Sequence, residues 1–407
     1  MSRKIPLGIA IAAAFIAAAF SVAVTVSVCT GSYNRLIRDL PQRTQQYAVL
    51  SEIDEVIRDH YYGETDREAI LSNMAAGYVQ GLNDGQCFFV PQENLAAYQN
   101  TVAGNMPGVG VTAVYDAAAA ALVIRDVAVG SPAAQAGLSV GDRIYAVDGA
   151  AVTAQNASSL IDRLLNAAQK TTSVSYTRAT AGGGETPRES VSLKNGYVAQ
   201  SCVAKTVGSV GYLYLYDFYP DTAERFDEAV RSFTDAGISS LILDVRNTDS
   251  VNYEYACKVI DRIVPLAADG TGAIATAKNA AGETVKIYPS DSAALNLSIA
   301  VLINDRTAGA AELLACDLRD FGKAKLFGEK TAGEGMLPEL YPLDSGGAVM
   351  LAAAKIYPYV SDPYDGDGVA PDVAVPMVDT EKSRIPADTF DGDPQFAAAY
   401  EFFNAGK

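Results

Sequence analysis

Between Ile303 and Leu343 the chain gathers the residues with the most chemical potential: Thr307, Glu312, Lys330 and Glu334, set around Gly309. A hydroxyl becomes a useful nucleophile when a neutral amine or another base lies within hydrogen-bond reach to take its proton, and Thr307 with Lys330 is such a pairing by residue type. Glu334 is a carboxylate that can act as a base, yet no hydroxyl or thiol stands beside it in sequence to be activated. Gly309, at the start of the apolar-periodic segment, supplies no side chain at all.

The elements that carry these residues can be read from pattern. Ala308 to Phe321 has Ala311, Leu314, Ala315 and Leu318 at the spacing of one helical face. Gly309 suits a helix start, and Glu312, three residues on, can reach back to a free backbone N–H. Ala324 to Gly328 is a short apolar run that fits a buried strand, and Thr331 to Gly335 is a glycine-punctuated loop. Upstream, Ile299 to Asn304, Leu241 to Arg246 and Val207 to Leu215 read as strands, with a helix from Asp221 to Ala236 between the last two. Strand-helix-strand order calls for a mainly parallel sheet with right-handed crossovers. Asp393 opens a terminal helix that runs to Phe403.

Upstream again, Gly104 to Lys170 carries Gly108-Val109-Gly110-Val111, then Ser131-Pro132-Ala133-Ala134-Gln135-Ala136-Gly137-Leu138, Gly141-Asp142-Arg143-Ile144 and Val147-Asp148-Gly149. These resemble the motifs of a PDZ domain, whose glycine loop accepts a peptide's C-terminal carboxylate while the peptide adds a strand to the sheet edge. The resemblance implies a peptide site at Gly108, Val109, Gly110 and Val111, with Leu160 and Leu164 on the helix opened by Asn156 as groove wall. Some of those apolar side chains must instead fill the domain interior. Ala117 to Ala121 reads as a hairpin tip, and Gly182-Gly183-Gly184 as a second tip or linker.

Taken together the chain resembles the C-terminal processing peptidases, serine proteases that use a serine–lysine dyad and carry a PDZ domain. Their nucleophile motif, Gly-Ser-Ala-Ser-Ala-Ser-Glu, falls on Arg306 to Glu312, and their Gly-Glu-x-Thr-Phe-Gly-Lys-Gly on Gly328 to Gly335. The position matching the serine is Gly309, that matching the lysine is Glu334, and the supporting glutamine of many relatives falls on Pro338. The family's Leu-Asp-Leu-Arg-x-Asn-Pro-Gly-Gly, which sets an oxyanion-hole amide, falls on Leu243 to Val251, where the proline and both glycines are absent and Asp249 appears. Losing one such donor costs about 2.7–4 kcal/mol of transition-state stabilisation. Gly366 to Val373 and Leu82 to Pro91 match further family segments, the second loosely.

The resemblance therefore implies an α/β, mixed α+β fold. Its expected parts are a helical region over residues 30–103, a PDZ domain over 104–185 and a peptidase-like core over 186–407. Its catalytic positions are degenerate. Three readings of function stand open: a pseudoprotease that binds C-terminal tails without cutting them, an active serine- or threonine-type endopeptidase using Thr307 and Lys330, and a non-enzymatic scaffold. For the second, a nucleophile moved two positions along a turn is re-aimed, and catalysis is sensitive to displacements of about 1 Å.

Composition and address narrow the partners. Against 31 Lys+Arg stand 48 Asp+Glu, a net charge of −17, which disfavours nucleic acid and anionic lipid surfaces. Residues 5–28 are uncharged and apolar after Arg3 and Lys4, long enough at about 1.5 Å per residue to cross a hydrocarbon layer of about 30 Å, with the N-terminus cytoplasmic and the rest outside. This segment, within 1–29, is read as an anchor or uncleaved signal. Polypeptide C-termini, with an active relative or an envelope protein, are the partners that the resemblance implies. Cys87, Cys202, Cys257 and Cys316 form no Cys-x-x-Cys pair and His60 is the only histidine, so no metal site or cofactor is expected.

Overall fold

The computed structural model describes residues 47–166, 169–180, 184–267, 272–290, 294–382, 385–386 and 389–404. The expected anchor at 5–28, Cys29 and the glycines 182–183 lie outside the described residues. Among the described residues no helix is long and apolar enough to cross a membrane. The chain divides into two compact units, residues 1–71 and 72–407. In the first, residues 47–60 form a helix with Tyr47 and Ile53 exposed, and His60 at its end is exposed too.

In the second unit the strands from Val111–Asp116 to Glu189–Lys194 build a six-stranded antiparallel sheet, and Val111–Asp116 lies on its edge. Helix Ala157–Leu165 packs Leu160 and Leu164 against Val109, Val111, Leu122 and Ile144. The hairpin Thr171–Thr177 with Glu189–Lys194 carries this sheet past residue 185, so the expected division there falls inside a strand pair. Val207–Leu215, expected as one strand, is two: Cys202–Val207 turns at Gly208, which has φ 59°, and pairs antiparallel with Val210–Leu215.

That hairpin begins the second sheet, six strands of which all but the first run parallel: Cys202–Val207, Val210–Leu215, Ser240–Asp244, Ser298–Ile303, Ala324–Gly328 and Val373–Ala374. A strand shows alternate residues to opposite faces. Leu213, Leu215, Leu241, Leu243, Val301 and Ile303 accordingly meet the helices Thr222–Asp235, Tyr253–Ile263 and Ala310–Asp320. Tyr212, Tyr214, Ile242, Ala300 and Leu302 meet Phe396 and Ala399 of the terminal helix Pro394–Asn404. Burial on both faces is why these segments read as unbroken apolar runs rather than alternating ones. A further sheet joins Phe88–Val90, Ala348–Tyr357, Ala273–Lys278 and Thr284–Pro289, with Met336–Pro342 paired to Ala348–Tyr357. The four described cysteines, Cys87, Cys202, Cys257 and Cys316, are buried free thiols.

Two buried polar features anchor this core. Arg246, 1% exposed, pairs with Asp244 at 2.6 Å and Asp393 at 2.9 Å, and donates to Gln395, clamping the start of the terminal helix to the sheet. Asp317, on the helix Ala310–Asp320, accepts the Tyr359 N–H at 2.9 Å through one oxygen while its other oxygen has no partner among the described residues. Burial pushes its carboxyl well above the usual range, outweighing that hydrogen bond.

Arg246→Leu leaves Asp244 and Asp393 without their cation, and urea unfolding is expected to show a loss of about 3–5 kcal/mol. The raised Asp317 carboxyl stabilises the fold fully below its unfolded value near 3.8, and that contribution is lost as pH rises through the folded value. Asp317→Asn, compared with the unaltered chain by urea unfolding across pH 4 to 8, is expected to become the relatively more stable of the two as pH rises.

Candidate functional site

The site lies where the parallel strands end. Ser298–Ile303 runs into the turn Asn304 to Gly309, and Ala324–Gly328 runs into the loop 329–335. Asn304 organises the turn: its side-chain oxygen accepts from the N–H groups of Asn247 at 3.0 Å and Arg306 at 3.1 Å, and its amide donates to Asn247 Oδ1 at 2.8 Å. Asn247 has φ 58°, a conformation that asparagine tolerates better than most residues. Thr248 receives the N–H of Ala308, and the short parallel bridge Asp249–Ser250 with Ala308–Gly309 follows.

Gly309 itself has φ 63° and ψ −121°. A Cβ placed there would stand 2.2 Å from the Ser250 carbonyl oxygen, a backbone atom that cannot swing aside. The position expected from the sequence resemblance to match a serine nucleophile thus has no side chain, and a Cβ there would run into that carbonyl. Its carbonyl receives the Tyr364 hydroxyl at 3.0 Å.

Glu312, fully buried, joins this turn to the loop. Its carboxylate accepts the N–H groups of Gly309 at 3.0 Å, Gly333 at 2.8 Å and Glu334 at 2.7 Å, together with the hydroxyl of Thr331. The reach from Glu312 back to Gly309 expected from the sequence is therefore present. Burial raises the Glu312 carboxyl above its usual value against the four hydrogen bonds, which act to lower it. The rest of the loop is pinned as well: Ala332 N–H bonds to the Thr307 carbonyl, Thr331 to Val369, and the Tyr253 hydroxyl donates to the Glu334 carbonyl at 3.0 Å.

Glu334, exposed, projects from this fixed backbone, and Gln86 Nε2 lies 3.3 Å from its carboxylate. Pro338 sits at an irregularity in the pairing of Met336–Pro342 with Ala348–Tyr357, where a residue without an N–H is tolerated. Thr307 is fully buried, its hydroxyl donating to the Val245 carbonyl at 2.8 Å and accepting from Asn304 N–H at 3.0 Å. Lys330 is exposed, and among the described residues no hydrogen bond joins it to Thr307. That pairing does not form a dyad.

Two clefts open here. One of about 500 Å³ is lined by Asn247, Asp249, Asp305, Arg306, Ala308, Ala332 and Glu334. The other, about 780 Å³, shares Asp249 and Glu334 and is walled by Phe88, Tyr98, Val251, Met336, Pro338 and Met350. Among the described residues no cluster of His, Cys, Asp and Glu suits a metal ion.

At the glycine loop, Gly108 and Gly110 have φ 73° and 79°, and added Cβ atoms would collide with the Leu164 carbonyl and Ser131. The Val109 N–H is committed to the Leu164 carbonyl at 3.0 Å. A cleft of about 330 Å³ beside the loop is lined by Gly110 and Val111 together with Met106, Pro107, Leu165 and Tyr197. Leu160 and Leu164, expected as groove wall, are instead interior at 4% and 1% exposure, because the helix turns Leu165 to the cleft. Tyr197 and Met106, missed in the sequence, come from the two-stranded pairing of Asn105–Met106 with Tyr197–Val198, which no local pattern signals.

The sheet with its edge strand and glycine loop, joined to a parallel-sheet core whose strand ends carry the turn and loop, defines a PDZ-bearing peptidase fold. Residues 209–375 match peptidase family S41 and residues 123–178 match the PDZ domain. The carboxy-terminal processing protease CtpA of Bacillus subtilis is 25% identical over 351 residues, covering 84% of this chain and 73% of that protein. The carboxyl-terminal-processing protease of Synechocystis sp. is 28% identical over 322 residues, covering 77% and 72%. A solved structure assigned to the S41 proteases, from Bacteroides fragilis, shares the fold with a TM-score of 0.55 at 20% identity, covering 87% of this chain and 97% of that one. The chain thus carries a peptidase family S41 match and a PDZ match, and over most of its length it is similar to carboxy-terminal processing proteases.

The closed turn at Gly309 leads to a test by restoration. Gly309→Ser is expected to destabilise the fold by about 1–3 kcal/mol, through strain and displacement of the Ser250 strand. Gly309→Ser with Glu334→Lys is expected to give no hydrolysis of an unstructured reporter peptide, as read by mass spectrometry.

Proposed function

We propose that this chain is a membrane-anchored, extracytoplasmic pseudoprotease of its family, holding C-terminal peptide tails without cleaving them. The observation that carries the reading is Gly309: a position with no nucleophile, whose Cβ space is taken by the Ser250 carbonyl. Glu334 in place of an amine and Asp249 on the former oxyanion loop support it, since a carboxylate beside a developing oxyanion opposes the charge it would have to stabilise. The apolar cleft beside Gly110 and Val111, along the edge strand Val111–Asp116, supports tail binding by strand addition. The apolar segment 5–28 after Arg3 and Lys4 supports anchoring with the folded part outside. An active relative or an envelope protein whose tail is shielded this way is the partner in this reading.

A second reading, a scaffold whose peptide groove stays empty, draws on the Val109 N–H, which is already committed to the Leu164 carbonyl.

Titrating the full-length chain in detergent with a labelled, unstructured peptide ending in apolar residues, and with its C-terminally amidated twin, separates these readings. Binding that weakens at least tenfold on amidation, with every peptide intact by mass spectrometry, is the expected result. Turnover of the peptide would overturn the non-cleaving reading, and absence of binding would favour the scaffold.

A further inference from the structure

The larger core cleft has a character of its own. Its wall is apolar and aromatic, with Phe88, Tyr98, Val251, Met336 and Met350 around about 780 Å³. Four carboxylates share that lining, those of Asp84, Asp249, Glu334 and Asp365, and among the described residues no Lys, Arg or His does. Two of the four are already engaged: Asp84 accepts the Gln86 N–H at 2.9 Å, and Asp365 pairs with Lys355 at 3.0 Å. The other two, Asp249 and Glu334, are exposed and have no ion-pair partner among the described residues. Arg306, the cation on the adjoining cleft, lies 3.8 Å from Asp379.

A separate observation points to a donor. Gln86 lines the same cleft, and its amide nitrogen is directed to Glu334 at 3.3 Å, which leaves its carbonyl oxygen buried with no hydrogen-bond partner among the described residues. Reversing the amide would set that oxygen against the Glu334 carboxylate, so a flip of the amide does not relieve the orphaned acceptor among the described residues. A buried polar atom without a partner is costly, and a ligand N–H would satisfy it. Glu334 cannot withdraw from the cleft by a backbone shift, because its N–H is held by Glu312 and its carbonyl by Tyr253.

Resting on the reading of the chain as a peptide holder, we infer that the cleft takes an extended polypeptide segment that sets an apolar side chain against Phe88, Tyr98 and Met350 and a lysine or arginine beside Glu334, Asp249 and Gln86. An ammonium or guanidinium supplies several donors and the compensating charge, while its aliphatic stem lies along the apolar wall. An acidic or purely neutral segment leaves both carboxylates and the Gln86 oxygen unanswered. Charge complementarity of this kind sets the choice of partner more than total affinity.

The test uses the full-length chain in detergent and three extended decapeptides with amidated C-termini, identical except for a central lysine, norleucine or glutamate. Fluorescence anisotropy at 50 mM and 300 mM salt is expected to show the lysine peptide binding at least tenfold tighter than the norleucine peptide at low salt. The margin is expected to shrink at high salt, and the glutamate peptide to bind weakest. In a Glu334→Gln, Asp249→Asn double variant, its fold checked by circular dichroism, the lysine preference is expected to fall below threefold. Equal binding of the lysine and norleucine peptides, or a preference that survives in the double variant, overturns the inference and leaves tail binding through the PDZ domain standing. Cleavage of any peptide overturns the non-cleaving reading, while the charge preference stands or falls on the affinity ratio alone.

Discussion

The Glu312 carboxylate is the contact on which the rest of the site depends. It is buried, and it accepts from three backbone N–H groups and one hydroxyl drawn from two separate segments. A buried carboxylate without such partners would be strongly disfavoured, and each hydrogen bond to a charged group contributes about 1.5–3 kcal/mol. The loop 331–335 therefore has a single low-energy arrangement against the turn at Gly309. Tyr253 and Tyr364 complete it by donating to the carbonyls of Glu334 and Gly309.

The same arrangement that gives order to the site sets what Gly309 and Glu334 present to the clefts. With the loop fixed, Glu334 is presented to the clefts as a negative charge on a rigid base. With the turn fixed by Asn304, Thr248 and the Ser250 strand, Gly309 meets a carbonyl where a side chain would begin. Thr307, the hydroxyl nearest in sequence, is spent inside the turn on Val245. In the non-cleaving function proposed for this chain, fold and catalysis part at this point, since activity resides in the site and not in the scaffold that holds it.

Much of the scaffold was legible in the sequence. The apolar runs at Leu241, Ile299 and Ala324 and the helical spacing from Ala311 to Leu318 gave the parallel core because both strand faces are buried, which local composition records directly. The pairing of Glu312 with Gly309 was legible for the same reason: its partners lie three residues apart. What stayed hidden depends on residues distant in sequence. Nothing near Gly309 announces the Ser250 carbonyl, nothing near Glu312 announces Gly333 and Glu334, and the groove at Gly110 is walled by Tyr197 from beyond the expected domain end. Leu160 and Leu164 have the right periodicity for a groove face, but periodicity alone cannot say which apolar face of a short helix is interior.

Hydrogen–deuterium exchange of the backbone amides at Gly309, Gly333 and Glu334 tests most directly whether Glu312 holds the turn and loop together. If it does, these amides exchange at least a hundredfold more slowly than in an unstructured peptide, and Glu312→Gln returns all three together toward the fast rate. Exchange at the unstructured rate in the unaltered chain would contradict it and leave the Gly309 turn free to open.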